Sequence, residues 1–140
     1  MLKIYIESIE TGAEYNDIIY DFWINAKLRE YTIKIFDSVP FDLRNKKNEY
    51  INALVLAGFL EKNDTDQQDD ILTGTMINIE EQELSRWKQT RFDIKERKWL
   101  GIKNKNGYFL IDPNEAKELN IDIGENVTLK AGRFDLVGLE

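Results

Sequence analysis

Leu2, Ile4 and Ile6 alternate with Lys3, Tyr5 and Glu7, the two-residue period of a strand with one buried face. After the turn-like stretch TGAEYND, residues 18–26 are rich in β-branched and aromatic side chains. Residues 31–36 then alternate again, with Ile33 and Ile35 on one face. These three runs predict an antiparallel meander, broken at Ser38-Val39-Pro40 because proline cannot donate to a central ladder. The run 49–62 fits either a helix, through Ile51, Leu54, Val55 and Phe59, or a buried strand, and the Asn-Lys-Lys-Asn turn before it favours the strand. A polar loop at 63–70 leads to an alternating strand, Ile71 to Ile79. Residues 80–88 then predict a helix with Leu84 and Trp87 on one side.

The last third has the clearest turn chemistry. Asn106-Gly107 is a type I′ hairpin dipeptide, which would pair Ile102 with Ile111 and bury Leu100, Ile102, Phe109 and Ile111 on one face. Asp112-Pro113-Asn114-Glu115 reads as an N-cap, a first-turn proline and a capping-box glutamate, opening a short helix that buries Ala116 and Leu119 and ends at Asn120. A second hairpin is expected near Ala131-Gly132, setting Leu129 opposite Phe134 and Val127 opposite Leu136. The expected fold class is α+β and β-rich: an antiparallel meander plus a barrel-like C-terminal element over about residues 97–140, with one or two short helices, in a single globular domain of 140 residues.

Gly107, Pro113, Leu119, Ile121, Gly124, Glu125, Val127 and Leu129 fall at the intervals of a strand, a proline-led helix, a glycine turn and a second strand. Residues 107–136 thereby resemble the strand–helix–strand element of cradle-loop barrels, the group that holds the swapped-hairpin (AbrB-like) transcription regulators and the double-psi barrels. Asn120 stands where those families have glycine, and the element lacks the dense arginine of their DNA-binding members. The resemblance implies barrel-like packing of the C-terminal third and carries no function across.

Composition narrows the chemistry. With no cysteine and no histidine, disulfide scaffolds, thiolate nucleophiles, Cys/His zinc sites and imidazole-based triads are all excluded. No phosphate-binding glycine loop, nucleophile elbow or HExxH occurs, so neither a cofactor nor a catalytic residue is assigned. A histidine-free nuclease using Arg, Lys and Tyr is the enzyme form that composition still permits. Asp64, Asp66, Gln68 and Asp70 alternate like the start of a calcium loop. Asp69 replaces the required glycine and Thr75 the bidentate glutamate, so no metal is expected. The absence of an apolar leader and of any 20-residue apolar run points to a cytoplasmic protein that does not enter membranes.

Charge then separates two readings. Residues 1–70 carry 14 acids against 8 bases, whereas residues 71–140 carry 12 against 11. An acidic first half suggests a non-catalytic protein that docks a basic protein partner by charge complementarity, as inhibitors, antitoxins and immunity proteins do. Asp17, Asp21, Asp37, Asp42, Asp64, Asp66, Asp69 and Asp70 are the candidate contacts. Reversing the first four is expected to slow association without weakening the fold much. The richness in Ile, Lys, Asn and acids fits a bacterial or phage accessory protein. The alternative is a nucleic-acid-associated regulator, because residues 86–105 hold eight bases and two acids with aromatic rings interleaved. Its candidates are Arg86, Trp87, Lys88, Arg91, Lys95, Arg97, Lys98 and Trp99.

Overall fold

The computed structural model describes residues 1–63 and 70–140. Strands β1 (Leu2–Thr11), β4 (Phe22–Leu28) and β5 (Tyr31–Asp37) form the expected antiparallel meander. Between β1 and β4 the chain makes a small separate hairpin, β2 (Glu14–Tyr15) and β3 (Ile18–Ile19), so the expected strand over 18–26 is divided at Tyr20-Asp21. Strand β6 (Tyr50–Lys62) settles the ambiguous run as a strand. Then follow β7 (Thr73–Ile79), α1 (Glu81–Ser85), β8 (Gln89–Thr90), β9 (Trp99–Asn104), β10 (Gly107–Ile111), α2 (Pro113–Glu118) and β11 (Asn126–Leu139). The protein is α+β and strand-rich, with two short α-helices among the described residues.

Nine strands make one mixed sheet in the order β5-β4-β1-β6-β10-β9-β7-β11-β8, with further pairings β5–β11 and β6–β11. The sheet therefore closes twice. One circuit runs β1-β4-β5-β11-β6, the other β6-β10-β9-β7-β11, and the antiparallel β6–β11 pair belongs to both. Alternate residues point inward: Leu2, Ile4 and Ile6 on β1, Ile24, Ala26 and Leu28 on β4, Ala53, Val55 and Ala57 on β6, and Phe109 and Ile111 on β10 all join one buried cluster. A second cluster gathers Leu54, Ile79, Leu84, Trp87, Ile94, Trp99, Tyr108, Leu110 and Val137 on the other side of β6 and β10. Both faces of these two strands are thus covered, and this is why 49–62 is apolar without strict alternation.

Several local expectations change. The β9–β10 turn is centred on Lys105-Asn106, because Gly107 already pairs with Asn104, and so Ile102 faces Phe109 and Leu100 faces Ile111. A displacement of two residues preserves the side-chain face, so all four residues still turn to one side. The hairpin at Ala131-Gly132 does not form. Instead β11 is a single 14-residue strand. Its Gly132 lies against Phe59 of β6, where a Cβ would sit 2.7 Å from the Phe59 Cβ. Phe59 itself is left-handed (φ 54°), a strained conformation for an aromatic residue. There the inward face of β6 switches from Ala53, Val55 and Ala57 to Leu60. A glycine that reads as a turn in sequence is here a close approach between two strands.

Helix α1 ends at Ser85 instead of Lys88, while Leu84 and Trp87 are both buried as the pattern predicted. In α2, Asp112 caps the first turn, accepting from the Asn114 N–H at 2.8 Å, and Asn120 takes the left-handed conformation (φ 55°) that closes the helix. Glu115 forms no capping box; its carboxylate crosses to β6 and accepts from the Leu60 N–H at 2.9 Å, next to the kink at Phe59. The strand–helix–strand order expected of residues 107–136 is present as β10, α2 and β11. Among the described residues no helix is long and apolar enough to cross a membrane.

Candidate functional site

The meander carries a projecting arm. Beyond Thr11 and Phe22, the last residues paired in the β1–β4 ladder, the chain continues through Gly12, whose N–H donates to the Asp21 carbonyl at 3.0 Å, and Ala13, which accepts from the Tyr20 N–H at 2.9 Å. Asn16 and Asp17 turn the tip with φ of 51° and 63°, the left-handed pair of a type I′ hairpin turn. Tyr15 and Ile18 stand opposite each other across β2 and β3. They are 69% and 54% exposed, and Tyr20 is 49% exposed, so three large apolar side chains meet water within a few residues. From residue 4 to residue 26 the chain holds Glu7, Glu10, Glu14, Asp17 and Asp21 and no base.

Of the acids proposed as partner contacts, the four whose side chains are described differ in exposure and in what they hold. Asp17 is exposed at the tip. Asp21 supports the arm, accepting from the Ala13 N–H at 2.7 Å. Asp37 is fully buried and accepts from the backbone N–H groups of Phe41 and Asp42, both at 2.9 Å, so it cannot offer its charge to a partner. Burial raises its pKa, and the backbone donors act in the opposite direction. Asp42 is clasped by Arg44 at 2.7 Å, which lowers its pKa. Asp64, Asp66 and Asp69 lie outside the described residues, as does the side chain of Asp70, whose backbone opens a 3-10 turn at Asp70–Leu72.

The basic segment also disperses. Trp87 and Trp99 are 4% and 0% exposed, so neither ring is offered for stacking, and Phe92 (83% exposed) is the remaining ring between them. Arg86 pairs with Glu83 at 3.0 Å, Arg91 with Asp93 at 2.6 Å and Arg97 with Asp112 at 3.0 Å, while Lys95 donates to the Trp87 carbonyl at 2.6 Å. Lys88 and Lys98 are exposed. Four of the candidate bases are thus engaged within the chain.

The Arg91–Asp93 pair yields a pH prediction. Arg91 holds the Asp93 carboxyl below its ordinary value of 3.8. A carboxylate depressed in the fold adds stability that is complete above its unfolded pKa and is lost as pH falls through the folded one. Asp93→Asn is therefore expected to lower stability by about 1 kcal/mol at neutral pH. That deficit should stay level down to about pH 5 and shrink below about pH 4, as followed by urea unfolding at each pH.

Aromatic and basic side chains do meet elsewhere, on the outer face of the β5-β4-β1-β6 sheet. The register places Tyr50, Tyr5, Lys27 and Thr32 in one cross-strand row, Ser8, Asn25 and Lys34 in another, and Glu10, Trp23 and Phe36 in a third. Tyr5 and Tyr50 meet edge to face with centroids 5.1 Å apart, and the Lys3 ammonium lies 5.2 Å from the Tyr50 ring centre. Trp23 and Phe36 are 4.6 Å apart, with Lys34 5.4 Å from the Trp23 ring. These residues escape a sequence reading because they sit on four strands; the signal in each strand is an aromatic or lysine at an outward position of the alternation. Among the described residues no three acidic side chains converge to hold a cation. Searches against protein-family models, curated proteins and solved structures return no match to this chain, so the resemblance to cradle-loop barrels rests on residues 107–136 alone.

Proposed function

We infer that the protein is a non-catalytic binding protein whose β2–β3 arm docks a basic protein partner. The observation that carries this is the cluster of exposed Tyr15, Ile18 and Tyr20 on an arm that also exposes Glu14 and Asp17 and holds no base. Tyrosine gives a large contact area for little lost conformational freedom and is enriched where interfaces concentrate their energy. Glu7 and Glu10 pair with Lys27 and Lys34, so Glu14 and Asp17 beside the apolar residues are the charges that would steer an oppositely charged partner. The reading keeps the cytoplasmic setting and the inhibitor, antitoxin or immunity-protein role, and it moves the contact from the scattered aspartates to the arm.

The test is quantitative affinity capture with the wild-type protein and with a Tyr15→Ser, Ile18→Ser, Tyr20→Ser variant. All three side chains are exposed, so the variant is expected to fold with an unchanged circular dichroism spectrum. A basic protein retained by the wild type and depleted at least tenfold by the variant supports the reading. With that partner purified, Glu14→Lys with Asp17→Lys should slow association about tenfold at low salt, and the effect should fade as salt is raised. Identical captured sets from the two proteins would overturn it.

A further inference from the structure

We propose that the depression between Tyr5, Tyr50 and the β4–β5 turn, on the outer sheet face, binds a nucleotide, its base against the tyrosine rings and its phosphate held by Lys3, Lys27 and Arg29. The depression has a volume of about 550 Å³, within the range of small-ligand sites, and is lined by Lys3, Tyr5, Lys27, Arg29, Tyr50 and Asn106, with Glu7 the single acid in its wall. In a chain of net charge −7, three cations against one carboxylate is a local reversal of sign.

The geometry sorts the two halves of such a ligand. Tyr50 is 66% exposed and meets Tyr5 edge to face, with the Lys3 ammonium 5.2 Å from its ring centre, so a base stacking there would displace Lys3 toward the phosphate. Opposite Tyr50, Lys27 and Arg29 rise from the end of β4 and its turn. Lys27 reaches Glu7 at 3.4 Å, a loose and half-exposed pair that a phosphate can outcompete, since exposed ion pairs contribute ~0–1 kcal/mol. Arg29 is fixed by a donation from its Nη2 to the Lys105 carbonyl at 3.3 Å, which leaves its other N–H donors for an anion. An aliphatic ligand would find rings and ammonium groups instead of an apolar wall, and an uncharged one would leave the cations unused.

A base joined to a phosphate occurs both as a free nucleotide and as one unit of a single strand, and the sheet distinguishes them. A strand leaving the depression along the face would meet Lys34 and the Trp23–Phe36 pair, which a mononucleotide does not reach. The experiment is titration of the full chain with ADP and with ten-residue oligodeoxyadenylate at low salt, followed by tyrosine and tryptophan fluorescence and by calorimetry. Dissociation constants below about 100 μM for either ligand, weakened at least tenfold in Tyr50→Ala and in Lys27→Ala with Arg29→Ala, are the expected result. Thermal unfolding of the variants checks that they remain folded, as exposed positions allow. Tighter binding of the oligomer that falls again in Trp23→Ala identifies a single strand, and ADP affinity indifferent to Trp23→Ala identifies a free nucleotide. No binding of either ligand at 1 mM, or binding that survives both sets of substitutions, would overturn the proposal.

Discussion

Replacing Trp99 by alanine is expected to destabilise the protein by about 3–5 kcal/mol, the cost of emptying a large buried aromatic site. Trp99 is fully buried among Leu54, Ile79, Leu84, Trp87, Ile94, Tyr108, Leu110 and Val137. Its Nε1–H donates to the Ile94 carbonyl at 2.9 Å, which fixes the 3-10 turn Ile94–Glu96 beneath β9. With total stabilities of ~5–15 kcal/mol, a loss of that size removes a large part of the margin. Trp99→Phe keeps most of the contact area but leaves the Ile94 carbonyl unpaired, so a smaller loss of about 1–2 kcal/mol is expected. Urea unfolding of the three proteins measures both steps. A loss under about 1 kcal/mol for the alanine variant would show that the ring is not part of the core.

Asp37→Ala is the second large effect, expected at about 2–5 kcal/mol. The carboxylate sits at the end of β5 and ties down the next segment by accepting from the Phe41 and Asp42 N–H groups, one on each oxygen. Removing it strands two donors, at about 1–3 kcal/mol each. Asp37→Asn retains one acceptor oxygen and should fall between wild type and alanine. The pH dependence has the opposite sign to that of Asp93. Because burial raises the Asp37 pKa above 3.8, its ionised form is the costly one in the fold, and its contribution becomes more favourable as pH falls through the folded value. Reversing this charge to lysine would bury an ammonium against two N–H donors, so the expectation that charge reversal spares the fold fails at Asp37. Glu14, exposed on β2, is the position where reversal bears on association without touching the left-handed turn that Asp17 holds.

Trp99 and Asp37 also show what a sequence conceals. Both carry chemistry that a binding surface uses, and both are spent on structure. Periodicity identified β1 and β5, composition pointed to most of β4, and turn chemistry identified α2, because those signals are local: Ile4 alternates with its neighbours and Asp112 caps a helix two residues away. The partners of Trp99 and Asp37 are set by how the chain turns back on itself, and charge counts along the sequence do not see them. Gly132 is the same lesson in reverse. Its turn propensity suggested a hairpin, and contact with Phe59 across the β6–β11 ladder overrode it. The arm was legible as a turn bearing two of the candidate acids, Asp17 and Asp21, but its rings were not legible as a contact, since Tyr15, Ile18 and Tyr20 have the composition of a buried strand. The outer-face rings needed the cross-strand register before they formed a group.

The shared β6–β11 wall governs the order in which the molecule can be made. β5 pairs in parallel with β11, and β7 also takes β11 as its second neighbour. A nascent chain that has emitted β1 through β10 therefore holds one sheet, β5-β4-β1-β6-β10-β9-β7, open at β5 and at β7, and each edge offers unpaired N–H and C=O groups to any passing strand. Both edges are covered by the same late strand, β11, whose pairing with β6 joins the middle of the chain to its last strand and, as a non-local contact, is intrinsically slow. The interval before β11 arrives is when the protein is most exposed to misassembly.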